Sequence, residues 1–190
     1  MKKCVFFDRD GIINKSPGPG YVERWADFHL MPEIPGILKL VKNYGYEAVV
    51  VTNQRGVATG VMTLAALEEI HGNLQKQLDE DHHLALCDIL YCVHGEGECE
   101  CRKPKPGMLL EAAKRHNIDL KLSWMIGDNE KDVEAGRRAG CRTILVAAGK
   151  PVTKADYFVP DMKSLELLLR RVLEEGNAQS GKGKAGRGKE

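Results

Sequence analysis

The sequence predicts one α/β domain, a mostly parallel sheet flanked by helices, and three observations predict it. Short apolar runs alternate with amphipathic stretches over residues 1–175. The runs are almost continuously apolar, the pattern of strands covered on both faces. At 190 residues the chain is long enough for one well-buried domain and short for two.

The strands are expected at 4–7, 48–51, 89–92, 124–126 and 143–147. Between the first two, Pro35 opens a helix over 35–43 that carries Ile37, Leu38 and Val41 and stops near Gly45. Thr63 can cap a second helix, in which Leu64, Leu67, Ile70, Leu74 and Leu78 form one stripe. A third helix is expected over 106–116. A fourth spans 130–139, with acids in its first turn and Gly140 just past its end. Residues 163–173 close the body.

Charge and composition exclude several classes. Lys plus Arg number 28 against 27 Asp plus Glu, for a net charge of +1. That balance provides no global basic field for nucleic acid or anionic membrane. No apolar run approaches the roughly 18 residues of a spanning helix. The apolar start is cut off by Asp8-Arg9-Asp10, so no export signal is expected and the compartment is read as cytoplasmic. Six cysteines without an export signal point to reduced thiols or metal ligands. The segment 176–190 holds five glycines, four Lys/Arg and no large apolar residue, and is expected to be a disordered basic tail. Its removal leaves a mildly acidic domain over 1–175.

In parallel sheets, sites form at the carboxyl ends of the strands. The first run ends in Asp8-Arg9-Asp10-Gly11, and the second in Thr52-Asn53-Gln54. Arg102-Lys103-Pro104 precedes the third helix, and the fourth run ends in Gly127-Asp128 with Asp132 four residues on. Each alone also fits a solvated turn. Acid pair, hydroxyl, lysine and second acid in that order resemble the four motifs of the haloacid dehalogenase superfamily of phosphohydrolases.

That resemblance covers residues 3–150 and implies a Rossmann-like sheet and a Mg²⁺-dependent phosphatase. Asp8 would be the nucleophile, forming an aspartyl-phosphate. The Asp10 side chain would protonate the leaving oxygen and then activate water. Thr52 and Lys103 would hold the transferring oxygens. Asp8, the Asp10 main-chain carbonyl and Asp128 would bind Mg²⁺, with Asp132 orienting the metal loop behind them. Ile12 departs from the Thr or Val usual after this Gly. The stretch between Asp10 and Thr52 leaves no room for a large cap domain.

Cys92, His94, Cys99 and Cys101 put four N/S ligands within ten residues, matching a closed, structural Zn²⁺ site. A local disulfide is the competing reading, opposed by the strain of two-residue spacing. This zinc-stabilised loop leads into Arg102-Lys103 and narrows the resemblance to the branch of heptose bisphosphate phosphatases and histidinol phosphatases. Gly20-Tyr21-Val22 and the stretches 52–58 and 103–109 favour the heptose members. The short gap from His94 to Cys99 favours the other side, and Asn129 stands where heptose members often carry Lys. The implied substrate is a small phosphorylated sugar, D-glycero-D-manno-heptose 1,7-bisphosphate losing its C7 phosphate. Gly20, Tyr21, Asn53, Gln54, Arg55, Arg102 and Asn129 are the expected substrate contacts, with Arg102 or Arg55 on a second phosphate. Histidinol phosphate, or another small phosphomonoester, is the alternative substrate. A zinc-stabilised nucleic-acid-binding module using the tail is the alternative of a different class. Neither membrane nor nucleic acid is expected as a partner, and a monomer is expected.

Overall fold

Apolar, largely β-branched or aromatic runs form the strands of one sheet in the structure, a computed structural model that describes residues 1–149 and 151–182. They are β1 (Lys3–Phe7), β2 (Tyr46–Asn53), β3 (Asp88–Cys92), β4 (Trp124–Gly127), β5 (Arg142–Val146) and β6 (Tyr157–Val159). Their order is β3-β2-β1-β4-β5-β6, and every adjacent pair is parallel. The helices are α1 (Ile34–Asn43), α2 (Leu64–His82), α3 (Gly107–His116), α4 (Glu130–Ala139) and α5 (Met162–Lys182).

Two separate apolar clusters explain why the strands lack alternation. Val5 and Phe7 of β1 pack with Ile37 of α1, Leu67, Ile70 and Leu74 of α2, and Leu165 and Leu169 of α5. Cys4 and Phe6 pack with Met108, Leu109 and Ala112 of α3 and with Ala135 of α4. Both faces of the sheet are therefore covered, and either parity of residue is apolar. The Thr63 side chain accepts a 3.1 Å bond from the Ala66 N–H and caps α2 as expected.

Two features depart from the sequence reading. β6 was not foreseen, because three residues are too few for a periodicity to show. The closing helix starts at Met162 and continues past Gly176 to Lys182, into the segment expected to be a disordered tail. An apolar stripe that ends at Leu173 does not end a helix, whose backbone bonds can propagate through small and polar residues. The remainder of that tail, 183–190, lies outside the described residues.

From β1 the chain moves one way to build β2 and β3, and later returns to the other side of β1 for β4, β5 and β6. The carboxyl ends of β1, β2 and β4 thus meet at a topological switch point, where open parallel sheets bind ligands. Phe7 lies level with Val50 and Ile126, so the residues that follow these strands face one crevice. Between β1 and β2 lie only loops, a 3-10 turn (Trp25–Asp27) and α1, and no cap domain is inserted among the described residues. No described helix is long and apolar enough to cross a membrane.

Candidate active site

Asp8 leaves the end of β1 with its N–H bonded to the Ile126 carbonyl at 2.9 Å. Lys103 reaches it from the segment before α3. The Lys103 Nζ donates to Asp8 Oδ1 at 2.8 Å and to the Val51 carbonyl at 2.7 Å, and lies 2.6 Å from Asp132 Oδ1. Lys103 is 2% exposed. A buried ammonium needs all three of its protons satisfied, and here each has an acceptor. Despite the cost of burial, Asp132 and Asp8 hold its pKa above the usual lysine value. Asn53 fixes the lysine's backbone, accepting from the Lys103 N–H and donating to its carbonyl, both at 3.0 Å.

Asp8, Asp128 and Asp132 each bring a carboxylate oxygen within 4.8 Å of the others. Burial, with Asp132 adding to it and Lys103 opposing it, pushes the Asp8 carboxyl up to about 7. Burial and the nearby Asp8 push Asp128 up to about 6. Hard oxygen donors under such mutual repulsion fit a divalent cation of the Mg²⁺ type. Asp132 is already engaged, by Lys103 on one oxygen and by the Asn129 N–H at 3.1 Å on the other. Gly11 has φ +89°, and a Cβ there would overlap the Asp128 carboxylate, so the turn after the acid pair requires glycine.

Asp10 sits in a cradle of donors. Arg9, fully buried, donates from Nε at 3.3 Å and from Nη2 at 3.0 Å to Oδ1, and from Nη2 at 3.0 Å to Oδ2. Asn14 adds a 3.0 Å bond to Oδ1. Gln54 Nε2 donates to Oδ2 at 2.9 Å and to Thr52 Oγ1 at 2.8 Å, tying the acid pair to the second strand end. Asp8, Asp10, Thr52, Lys103 and Asp128 line one cavity of about 310 Å³, together with Gly20, Tyr21, Asn53 and Asn129.

The Cys92, His94, Cys99 and Cys101 side chains converge. Sγ atoms of Cys92 and Cys99 lie 3.5 Å apart and those of Cys99 and Cys101 3.1 Å apart. His94 Nδ1 lies 3.6 Å from Cys92 Sγ and 3.4 Å from Cys101 Sγ. None of these cysteines is in a disulfide. Three thiols and an imidazole clustered in this way fit a four-coordinate, soft metal site such as zinc. Behind the loop, Gly107 admits the Glu100 backbone so closely that a Cβ would collide with it.

Beside the first cavity lies a second, of about 350 Å³, lined by Arg102, Lys105, Lys131 and Arg138 among others. Lys103 and Lys131 line both. Of the expected substrate contacts, Gly20, Tyr21, Asn53 and Asn129 line the first cavity and Arg102 the second. Gln54 is a correction. It is fully buried beneath the cavity and braces Asp10 and Thr52, because the chain turns inward where the Gln54 N–H bonds the Cys92 carbonyl at 2.7 Å. Arg55 is exposed and lines neither cavity. The Asn129 side chain caps α4, accepting from the Lys131 N–H at 3.0 Å. The sequence reading missed Arg9, Asn14 and Lys131. Arg9, a cation between two acids at a strand end, reads as part of a solvated loop, and Lys131 carried no signal beyond its place in the first turn of α4.

Residues 100–164 match the model of the HAD-hydrolase-like family. D-glycero-beta-D-manno-heptose-1,7-bisphosphate 7-phosphatase of Haemophilus ducreyi is 41% identical over 177 residues, covering 86% of this chain and 96% of that protein. The enzyme of the same name from Helicobacter pylori is 41% identical over 151 residues, covering 79% of this chain and 86% of that protein. Among solved structures, the D,D-heptose 1,7-bisphosphate phosphatase of B. bronchiseptica, complexed with magnesium and phosphate, superposes with a TM-score of 0.79. It is 27% identical, and the match covers 91% of this chain and 99% of that one.

Proposed function

The chain belongs to the haloacid dehalogenase-like phosphatases, in the family of the heptose-1,7-bisphosphate 7-phosphatases, and from that membership we propose that it removes the C7 phosphate of D-glycero-D-manno-heptose 1,7-bisphosphate. The observation that carries the reading is the buried Lys103, held between Asp8 and Asp132 at the switch point beside Thr52. The choice of substrate follows the names of the relatives.

Asp8 attacks the C7 phosphorus, the bond from phosphorus to the C7 oxygen breaks, and Asp10 gives that oxygen its proton. Both donors on Asp8, the Arg9 N–H at 2.7 Å and the Lys103 Nζ, converge on Oδ1, which leaves Oδ2 to form the new bond. Asp10, now a carboxylate, takes a proton from the water that attacks the aspartyl-phosphate, freeing Asp8 and inorganic phosphate. Thr52 holds an oxygen of the transferring group, and Lys103, its three protons kept on Asp8, Asp132 and the Val51 carbonyl, counters by its charge alone the negative charge that spreads over that group. Mg²⁺, held by Asp8, Asp128 and the Asp10 main-chain carbonyl, supplies the positive charge that lets a carboxylate approach a phosphate; the magnesium and phosphate of the B. bronchiseptica complex support this choice of cation. Zn²⁺ on Cys92, His94, Cys99 and Cys101 fixes the loop that leads into Arg102. The second phosphate, on C1, is assigned to the cavity lined by Arg102, Lys105, Lys131 and Arg138, where a dianion would compete with Glu96, Glu100 and Glu134 for the last three cations.

The test is phosphate release from a panel of both anomers of the heptose bisphosphate, histidinol phosphate and nucleoside monophosphates. The expected outcome is a kcat/KM for one heptose anomer at least about tenfold above that for histidinol phosphate, a difference of about 1.4 kcal/mol in transition-state binding. The reverse order overturns the assignment of substrate.

A further inference from the structure

Among the described residues Arg9 is the largest charged side chain with no exposure, and the reaction as described gives that side chain no direct part. It cannot touch substrate. A buried guanidinium has five N–H donors, and one carboxylate cannot accept them all. Nε and Nη2 are turned onto Asp10. Nη1 lies instead 3.2 Å from Nε2 of His71, on α2, far from Arg9 in sequence.

His71 is 7% exposed. It sits on the Leu67–Leu74 stripe of α2, with its ring tilted against Tyr91 of β3 at 5.4 Å between centroids. Burial, and then the Arg9 charge, lower its pKa to about 3, so the imidazole is neutral in the working range. Because Nη1 can only donate, Nε2 must be the acceptor and the ring proton lies on Nδ1.

We propose that His71 is a positioning residue for the proton-transferring Asp10, acting through Arg9: the imidazole Nε2 fixes the guanidinium plane, and that plane fixes the carboxylate. The inference rests on the role of Asp10 in the proposed reaction. Asn14 and Gln54 also hold Asp10, but Arg9 alone bridges both its oxygens, so its tilt sets the direction in which they face the cavity. Small errors of aim at a proton-transfer group lower the rate without lowering affinity.

The experiment compares His71→Leu, His71→Gln, Arg9→Lys and Asp10→Asn by kcat and KM, with melting curves as the control for folding. His71→Leu fills the space but removes the acceptor, and should lower kcat about tenfold with KM changed by less than about twofold. His71→Gln returns an acceptor oxygen and should recover most of that loss. Arg9→Lys keeps a charge but not the planar fork, and should lower kcat to a similar degree. Adding His71→Leu to Arg9→Lys should then cost nothing more, since both act on one path. Equal losses in the Leu and Gln variants, or additive losses in the double variant, overturn the proposal. If His71→Leu does not fold, His71→Ala, which also lacks the acceptor, takes its place in the comparison with His71→Gln and in the double variant with Arg9→Lys. An Asp10→Asn variant that keeps its full rate overturns the role of Asp10 itself, a failure distinct from that of His71.

Discussion

The acidic crevice and the cysteine cluster each gather the donor set of a metal site, yet they are built in opposite ways. Asp8 and Asp128 come from two strand ends, Lys103 from the segment before α3 and Asp132 from α4, and they are held in place by a sheet with an apolar cluster on each face. Lys103 already satisfies part of the charge. The shape of the crevice therefore does not wait for its cation. Cys92, His94, Cys99 and Cys101 lie within ten residues of chain, in a loop with His94 exposed and Cys99 and Cys101 only partly covered. Cys92 belongs to one apolar cluster and Cys99 and Cys101 pack against it, but the 94–98 segment between them has no apolar side chain to anchor it, so an ion on these ligands would tie that segment to the cluster. One site is preorganised by the core, whereas in the other a bound metal would fasten a polar segment to that core.

The most drastic way to break that contrast is at the crevice. Asp8→Asn should abolish phosphate release, by about 10⁴-fold or more, since a nucleophile has no substitute. The same variant should keep its fold. Because burial raises the Asp8 carboxyl to about 7, a neutral amide there removes charge from a crowded acidic site. Its metal-free melting temperature at pH 8 should equal or exceed that of the parent, by up to a few degrees. A large fall in stability would mean that the crevice is not preorganised in the manner described.

At the loop the expected pattern is inverted. Cys101→Ser removes one ligand and should lose the zinc, read as about one Zn per chain in the parent and well below that in the variant. Arg102, next in sequence, donates to the His94 carbonyl at 3.3 Å and lines the cation-rich cavity, so loosening the loop displaces it. KM for the bisphosphate should rise about tenfold, while kcat falls less than about threefold, because binding is lost and the reacting groups are not. A kcat that collapses with KM unchanged would place the loop in the chemistry and erase the distinction.

The same contrast explains what could be read from the chain. Asp8, Thr52 and Asp128 were legible because each breaks or follows an apolar run and a parallel sheet brings such ends together, and Lys103 because it stands just before a helix in order with them. The convergence of Cys92, His94, Cys99 and Cys101 was legible because four N/S side chains fall within ten residues. Arg9 was not, since a cation between two acids reads as a solvated loop until α2 is packed over it. Its partner His71 did leave a trace, a polar residue on the stripe of Leu67, Ile70 and Leu74. Gln54 misled for the converse reason, following a strand end like a substrate contact and then turning into the core. Lys131 and Arg138 stand on α4 with no pattern to mark them, and it is the approach of the 96–105 segment that makes them walls of a cavity.

The smallest effect separates the two sites by pH. Asp8 and Asp128 have folded-state pKa values of about 7 and about 6, both above the ordinary 3.8. Between about pH 4 and pH 7 the folded, metal-free protein therefore binds more protons at these groups than the unfolded chain does, and their contribution to stability falls as pH rises. That contribution is intact below about pH 4 and is lost as pH passes through the folded values. Lys103, raised above 10.5, stays charged throughout this window and adds no slope. Magnesium favours the ionised carboxylates, so it should raise the melting temperature by a few degrees at pH 8 and by much less at pH 5. Asp128→Asn should stabilise the metal-free protein at pH 8 and remove most of the magnesium gain. Zinc loss by Cys101→Ser should leave that pH-dependent gain in place, because the crevice takes its shape from the sheet. A magnesium gain that is equal at both pH values, or that disappears with Cys101→Ser, would make the two sites one cooperative unit.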